Sequence, residues 1–231
     1  MKKNLYSGRS VQDLKELIPF KSTFGDAYVY ATEEYVVAAI FTRVGEGSIT
    51  FRLSASNGKY ILQELIPNAF KCLYDHPISI YKVSSKTFKK ENIKSTINEF
   101  MSKEKVKVLE ERKFESGLTL LKSLEEELEL IYYSDNFDCS YLIDKQINYK
   151  KEKGENISKD IFEKVIFYHP NLITTLAKYG YTYSNDEVIN IYEKYIDKYF
   201  NDKIMHNFLE SALIQLKKYN KDLYDALHTK K

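Results

Sequence analysis

The chain reads as α+β: a β-rich domain over residues 1–115 followed by an all-α domain over residues 116–231. Three observations predict this. Up to Arg112, apolar residues alternate with polar ones in short runs, the period of a strand with one buried face. From Leu118 onward they recur at helical spacing. The local signals agree, with a hairpin dipeptide, Asn57-Gly58, in the first part and a capping box, Ser184-Asn-Asp-Glu187, in the second.

Taken in order, Asn4–Ser7 and Ala27–Thr32 are expected strands, the latter with Tyr28 and Tyr30 on one face. Glu33–Arg43 reads as a helix with Thr32 as its cap, acidic residues in its first turn and Gly45 after its end. Ser48–Ser54 and Tyr60–Leu65 flank the Asn57-Gly58 turn as strands. Pro67 opens a short helix, Asn68–Tyr74. Ile78–Val83 and Val106–Arg112 complete the strands. Leu118, Leu121, Leu124, Leu128 and Ile131 form one helical stripe, and Tyr141–Tyr149 a weaker one. Residues 151–156 read as a polar loop. Ser158 caps Lys159–Tyr168, Pro170 prevents its continuation, and Asn171–Tyr179 ends at Gly180. Asn185–Phe200 buries Val188, Ile191, Tyr192, Tyr195 and Tyr199. Asn201 caps a long helix that carries Phe208, Leu209, Ala212 and Leu216, and Asp222–Leu227 docks as a last turn.

Composition excludes several classes. Hydrophobic residues at 43% supply a core, so wholesale disorder is excluded, and 8 Gly with 4 Pro exclude collagen-like chains. No apolar run approaches the roughly 20 residues that span a bilayer. The opening MKKNLYSGRS has two lysines but no apolar stretch, so a cytoplasmic protein without a secretory leader is expected. Net charge is +2, +5 over the first 115 residues and −3 over the rest, too little for a polyelectrolyte arm. The basic residues are 31 Lys and 4 Arg, and Arg9, Arg43, Arg52 and Arg112 all fall in the β-rich part. Nucleic acid is therefore a weaker alternative than a small ligand or a protein partner of the helical part. Cys72 and Cys139 form no metal-ligand pattern with the scattered histidines, so no metal site is expected.

Three segments carry candidate chemistry. In Leu5-Tyr-Ser-Gly-Arg-Ser10, Gly8 admits close backbone approach, and Ser7, Arg9 and Ser10 offer donors for an amide, a ribose or a phosphate. The same residues also read as a polar edge strand entering a turn. In Tyr28-Val-Tyr-Ala-Thr32, a tyrosine face is able to stack on a planar ring, or to belong to the sheet surface. Around Met101-Ser-Lys-Glu104 and Glu110-Glu111-Arg112, a carboxylate at a sheet edge would stabilise developing positive charge, or form surface ion pairs. Glu110 and Glu111 alternate, so one cleft receives one of them.

In sequence, Leu5-Tyr-Ser-Gly8, Tyr28-Val-Tyr-Ala-Thr32, Val36-Val-Ala-Ala39, Ile80-Tyr-Lys-Val-Ser84 before Phe88, and Met101-Ser-Lys-Glu-Lys-Val106 resemble the ADP-ribosyltransferase-like fold. The likeness is to its His-Tyr-Glu branch of poly(ADP-ribose) polymerases, diphtheria-type toxins and RNA 2′-phosphotransferases. It covers residues 4–112. The chain is also similar to proteins of low-GC Gram-positive bacteria that begin Tyr-Ser-Gly-Arg-Ser. The resemblance implies NAD held between two small sheets. It places Ser7 where the family has histidine, with Gly8 at the nicotinamide amide and Arg9 beside them. Tyr30 stands at the ring, with Tyr35 the alternative, and Glu104 at the catalytic carboxylate, with Glu110 the alternative. With serine at the first landmark, the expected function is a nucleotide-binding or protein-interaction module. The alternatives are an active NAD-dependent ADP-ribosyltransferase acting on a macromolecule, and a nucleic-acid-binding protein.

Overall fold

The computed structural model describes residues 4–21, 26–45, 47–90, 97–144, 147–148 and 159–229. The fold is α+β, with sheets concentrated in the N-terminal region and helices following. By packing, the chain forms two compact units. One comprises Met1–Val44, Leu53–Leu62 and Leu73–Leu130; the other comprises Gly45–Arg52, Gln63–Cys72 and Ile131–Lys231.

In the first unit, β1 (Leu5–Arg9), β2 (Glu16–Leu17), β7 (Ile78–Val83) and β10 (Val106–Phe114) make an antiparallel sheet ordered β1-β7-β10-β2. Strands β3 (Phe20–Lys21), β4 (Ala27–Ala31), β8 (Lys89–Lys90) and β9 (Phe100–Ser102) make a second, ordered β3-β4-β9-β8. Leu5, Tyr81 and Val83 of the first sheet pack with Val29 and Ala31 of the second, and Leu17 and Val106 close the core between them. The opposite face of the first sheet lies under helices α1 (Tyr35–Ile40) and α4 (Gly117–Ser123). A third sheet joins β5 (Phe51–Ser56), β6 (Lys59–Glu64) and β11 (Leu128–Ile131) in the order β11-β6-β5. Asn57 and Gly58 adopt positive φ of 51° and 76°, the geometry of a two-residue hairpin turn.

Several expected elements shift, each for a tertiary reason. Helix α1 begins at Tyr35 because Thr32 is held in a backbone bridge to Tyr6, so Glu33 and Glu34 precede the helix. Thr32 Oγ1 accepts from the Glu34 amide at 3.1 Å. The expected strand at Ser48 gives way to a helical turn, α2 (Gly47–Thr50), before β5. The stripe from Leu118 to Ile131 is not one helix. The helix stops at Ser123, and Leu128–Ile131 is drawn out as a strand along the open side of β6, where the Tyr60 amide donates to Glu127 O at 2.9 Å.

The second unit is mainly helical: α2, α3 (Ala69–Tyr74, as far as Cys72), α5 (Lys159–Tyr168), a 3₁₀ turn at Pro170–Leu172, α6 (Ile173–Lys178), α7 (Asn185–Tyr199), α8 (Lys203–Tyr219) and α9 (Lys221–Thr229). The capping box of α7 forms as expected, with Ser184 Oγ accepting from the Glu187 amide and the Glu187 carboxylate from the Ser184 amide. Asp202 rather than Asn201 caps α8, since its carboxylate accepts from both Ile204 and Met205 amides at 3.0 Å. Pro170 splits the expected 171–179 helix into the 3₁₀ turn and α6. The Val188, Ile191, Tyr192, Tyr195 and Tyr199 stripe is buried, and Phe167 stacks on Tyr195 with ring centroids 4.5 Å apart. Ser158 and the 151–156 loop lie outside the described residues, as does part of the 141–149 run.

Glu64 is a buried carboxylate in this unit. It accepts from the Phe70 amide at 2.7 Å and the Tyr133 amide at 2.9 Å. Burial pushes its pKa up, and the two amides oppose that shift. Glu64→Ala is expected to destabilise the protein by about 3 kcal/mol, because two buried donors lose their acceptor. Urea denaturation checks this, and a loss below about 1 kcal/mol would contradict the bonding described.

Candidate functional site

Strand β1 is the outer strand of its sheet, and its residues alternate in direction. Leu5, Ser7 and Arg9 share one face, Tyr6 and Gly8 the other. Ser7 is 3% exposed, and its hydroxyl donates to Tyr30 O at 2.8 Å. That hydroxyl pins β1 to β4. The Tyr6 amide donates to Thr32 O at 2.7 Å, and the Thr32 amide returns to Tyr6 O at 2.9 Å. Continued by the same register, Gly8 would face Tyr30. There the Ser7 hydroxyl, not the Gly8 amide, is bonded to the Tyr30 carbonyl, and among the described residues the β1–β4 pairing is the single Tyr6–Thr32 bridge. Since the donor and acceptor of Tyr6 face outward from β7, those of Gly8, two residues on, face the same way. The two sheets therefore fork at Gly8, a buried residue whose backbone N–H and C=O turn away from β7.

The side of Gly8 explains why it is glycine. A Cβ there would stand 1.9 Å from Ala38 O of α1 and 2.9 Å from the Thr42 side chain. The residue serves close packing of strand on helix, and the fork gains its backbone groups as a consequence.

Tyr30 pairs in register with Met101, so its side chain faces away from the Val29–Ala31 core. Its ring lies 5.8 Å from Phe20 and 6.0 Å from Tyr28, centroid to centroid. Arg9 extends over Phe20 at 5.1 Å. Burial lowers the Arg9 pKa, with Tyr81 opposing that shift. Ser7, Arg9 and Tyr30 are thus brought together, Arg9 through Phe20. Tyr35, the alternative ring, packs on Tyr6 at 5.5 Å with Arg112 over it at 5.9 Å.

The two nominated carboxylates lie elsewhere. Glu104 is exposed in the turn after β9, where its amide donates to Ser102 Oγ at 3.1 Å and its carbonyl accepts from the same hydroxyl at 3.2 Å. Glu110 is exposed and paired with Arg112 at 3.3 Å. Among the described residues no contact joins either to Ser7 or Arg9.

Two other glutamates bear on the site: Glu111, which the sequence offered as the alternate of Glu110, and Glu99, which it did not single out. Glu111 registers with Tyr81, which registers with Ser7, so the three form a row across β1, β7 and β10. Its carboxylate accepts from Ser79 Oγ at 2.7 Å, the Asp13 amide at 2.8 Å and Tyr81 OH at 3.0 Å. Burial raises its pKa, but these three bonds outweigh that and hold it below the ordinary value. The carboxylate therefore fastens the 11–14 segment over the sheet. Glu99 immediately precedes β9 and is half-buried. Strand alternation does not extend to it, because β9 begins at Phe100. Burial raises its pKa while Arg43 opposes, and Arg43 itself lies over the Phe41 ring at 5.0 Å. Beside it, Asn98 Nδ2 donates to Glu34 Oε1 at 3.4 Å and Tyr60 OH to Glu34 Oε2 at 2.7 Å.

Among the described residues no cluster of His, Cys, Asp and Glu could hold a metal, and no helix is long and apolar enough to cross a membrane. No protein-family model, curated protein or solved structure matches the chain.

Proposed function

We propose that the first unit is an ADP-ribosyltransferase-like module that binds an NAD-type dinucleotide at the fork between β1 and β4. The observation that carries the reading is the parting of these strands at Gly8, with an outward amide and carbonyl beside Tyr30. An amide such as nicotinamide needs both one donor and one acceptor, and one glycine backbone supplies them. Glu99, half-buried beside β9, is the carboxylate of this site in place of the exposed Glu104 and Glu110.

Binding without turnover is the favoured form. The Ser7 hydroxyl is committed to Tyr30 O and is not free to hold a ribose. Transfer is the second reading, favoured by Glu99. When the bond between nicotinamide and the anomeric carbon breaks, its electron pair leaves with nicotinamide and positive charge develops on the sugar. A half-buried carboxylate stabilises that charge more than an exposed one does. For the second unit, exposed Phe200, Ile204 and Ile214 support a role as the arm that engages a protein partner.

The test is thermal melting with NAD. At 100 times its dissociation constant the ligand should add about 2.7 kcal/mol of stability. No shift at millimolar NAD overturns the reading. Glu99→Gln is expected to keep the shift. Nicotinamide release by the parent that disappears in Glu99→Gln would establish cleavage of the nicotinamide–ribose bond, ADP-ribose found on an acceptor rather than free in solution would establish transfer, and release by neither leaves a binding module.

A further inference from the structure

Arg9 is not used by the fork. Its backbone runs with β1, but its guanidinium leaves the strand and lies over the Phe20 ring at 5.1 Å. Among the described residues no carboxylate pairs with it and no carbonyl accepts from it. This is an unusual place for a cation, because a desolvated guanidinium normally keeps a counter-charge. The exposed Lys103 is compensated: it lies over Tyr28 at 5.4 Å and pairs with Asp26 at 2.8 Å.

The rings beside Arg9 form a continuous group. Phe20 and Tyr28 are cross-strand partners of β3 and β4, and Tyr28 and Tyr30 are two apart on β4, so all three share one sheet face. Phe20 is 47% exposed. Aromatic faces with one uncompensated guanidinium at their end match a flat base attached to one phosphate. Among the described residues this face carries two cations without a counter-charge, Arg9 and the exposed Lys89 that registers with Met101, too few for an extended polyanion, which gains its affinity from many phosphate contacts.

We propose that Phe20, Tyr28, Tyr30 and Arg9 form a binding site for a nucleoside monophosphate group, the base on the rings and the phosphate on Arg9. The site stands on contacts separate from the Gly8 backbone and Glu99, so it does not depend on the fork reading.

Calorimetric titration with AMP, and with adenosine as the phosphate-free probe, tests it on the full chain. AMP is expected to bind one to one. Arg9→Met should weaken AMP more than tenfold and leave adenosine within twofold, Arg9→Lys should restore part of the loss, and Phe20→Ala should weaken both ligands. Arg9→Met should melt no lower than the parent, since it removes a desolvated charge. Competition between NAD and AMP would make the group the adenylate half of one dinucleotide. Absence of competition would make it a separate nucleotide, and either result upholds the site. AMP affinity unchanged by Arg9→Met overturns it, as does a lowered melting temperature without loss of AMP. A short single-stranded oligonucleotide that binds in preference to AMP with steep salt dependence overturns it too. Failure here leaves an NAD shift carried by the Gly8 backbone untouched, and failure of the fork leaves AMP binding untouched.

Discussion

Gly8→Ala is expected to destabilise the protein by about 4 kcal/mol, near the top of what one methyl group does. The added Cβ would sit 1.9 Å from a backbone oxygen, Ala38 O, which has no rotamer through which to escape. Either β1 or α1 must move by more than an ångström, and both are tied. The strand is paired with β7 along its length, and the helix is buried from Val36 to Ile40. Gly58→Ala is the control. Its φ of 76° strains an L residue, but nothing stands within 4 Å of the new Cβ, so it should cost about 1 kcal/mol. Chemical denaturation of the two variants separates a packing glycine from a conformational one. Equal losses would show that β1 does not approach α1 as described.

The second large effect is a loss of stability in acid through His169. The ring is buried, and its Nε2–H donates to Ile49 O at 2.7 Å. Burial lowers its pKa from 6.5 to about 4, with the bond to Ile49 opposing. The folded state therefore prefers the neutral ring, and the unfolded chain binds the proton first. The contribution is whole above about pH 6.5 and is lost as the pH falls toward 4, a total of roughly 3 kcal/mol at 1.36 kcal/mol per unit. His169→Gln keeps an N–H donor without a titrating group. Stability measured from pH 7 to pH 4 should fall more steeply in the parent than in this variant, by up to one proton. Parallel curves would mean that His169 does not remain neutral in the fold.

What the sequence made legible was chemistry that acts over a few residues. Asn57-Gly58 makes its turn because both residues accept positive φ, and Ser184 with Glu187 closes a cap three residues long. The tyrosine stripe of α7 follows from periodicity alone. The failures share a different cause. Leu128–Ile131 has helical spacing, yet pairs as a strand because β6, some sixty residues earlier in the chain, leaves an open side. Thr32 left the helix for a bridge to Tyr6. At the candidate site, Tyr30 and Arg9 were nominated for residue type and do lie near one another. Glu104 was nominated by the family resemblance, and it stands exposed in the turn after β9. Gly8 was read for what it admits from outside, while the contact that demands it comes from Ala38 inside the fold.

The pairing of β6 with β11 also bears on how the chain is made. A ribosome delivers β1 and β6 long before their respective neighbours β7 and β11 exist. Ile49 likewise waits 120 residues for His169. Neither unit can close while the chain is half synthesised, so its nascent strands stay open to wrong partners until late in translation. Slow decoding between β6 and β11 would lengthen that interval, whereas slow decoding after Thr229 would not.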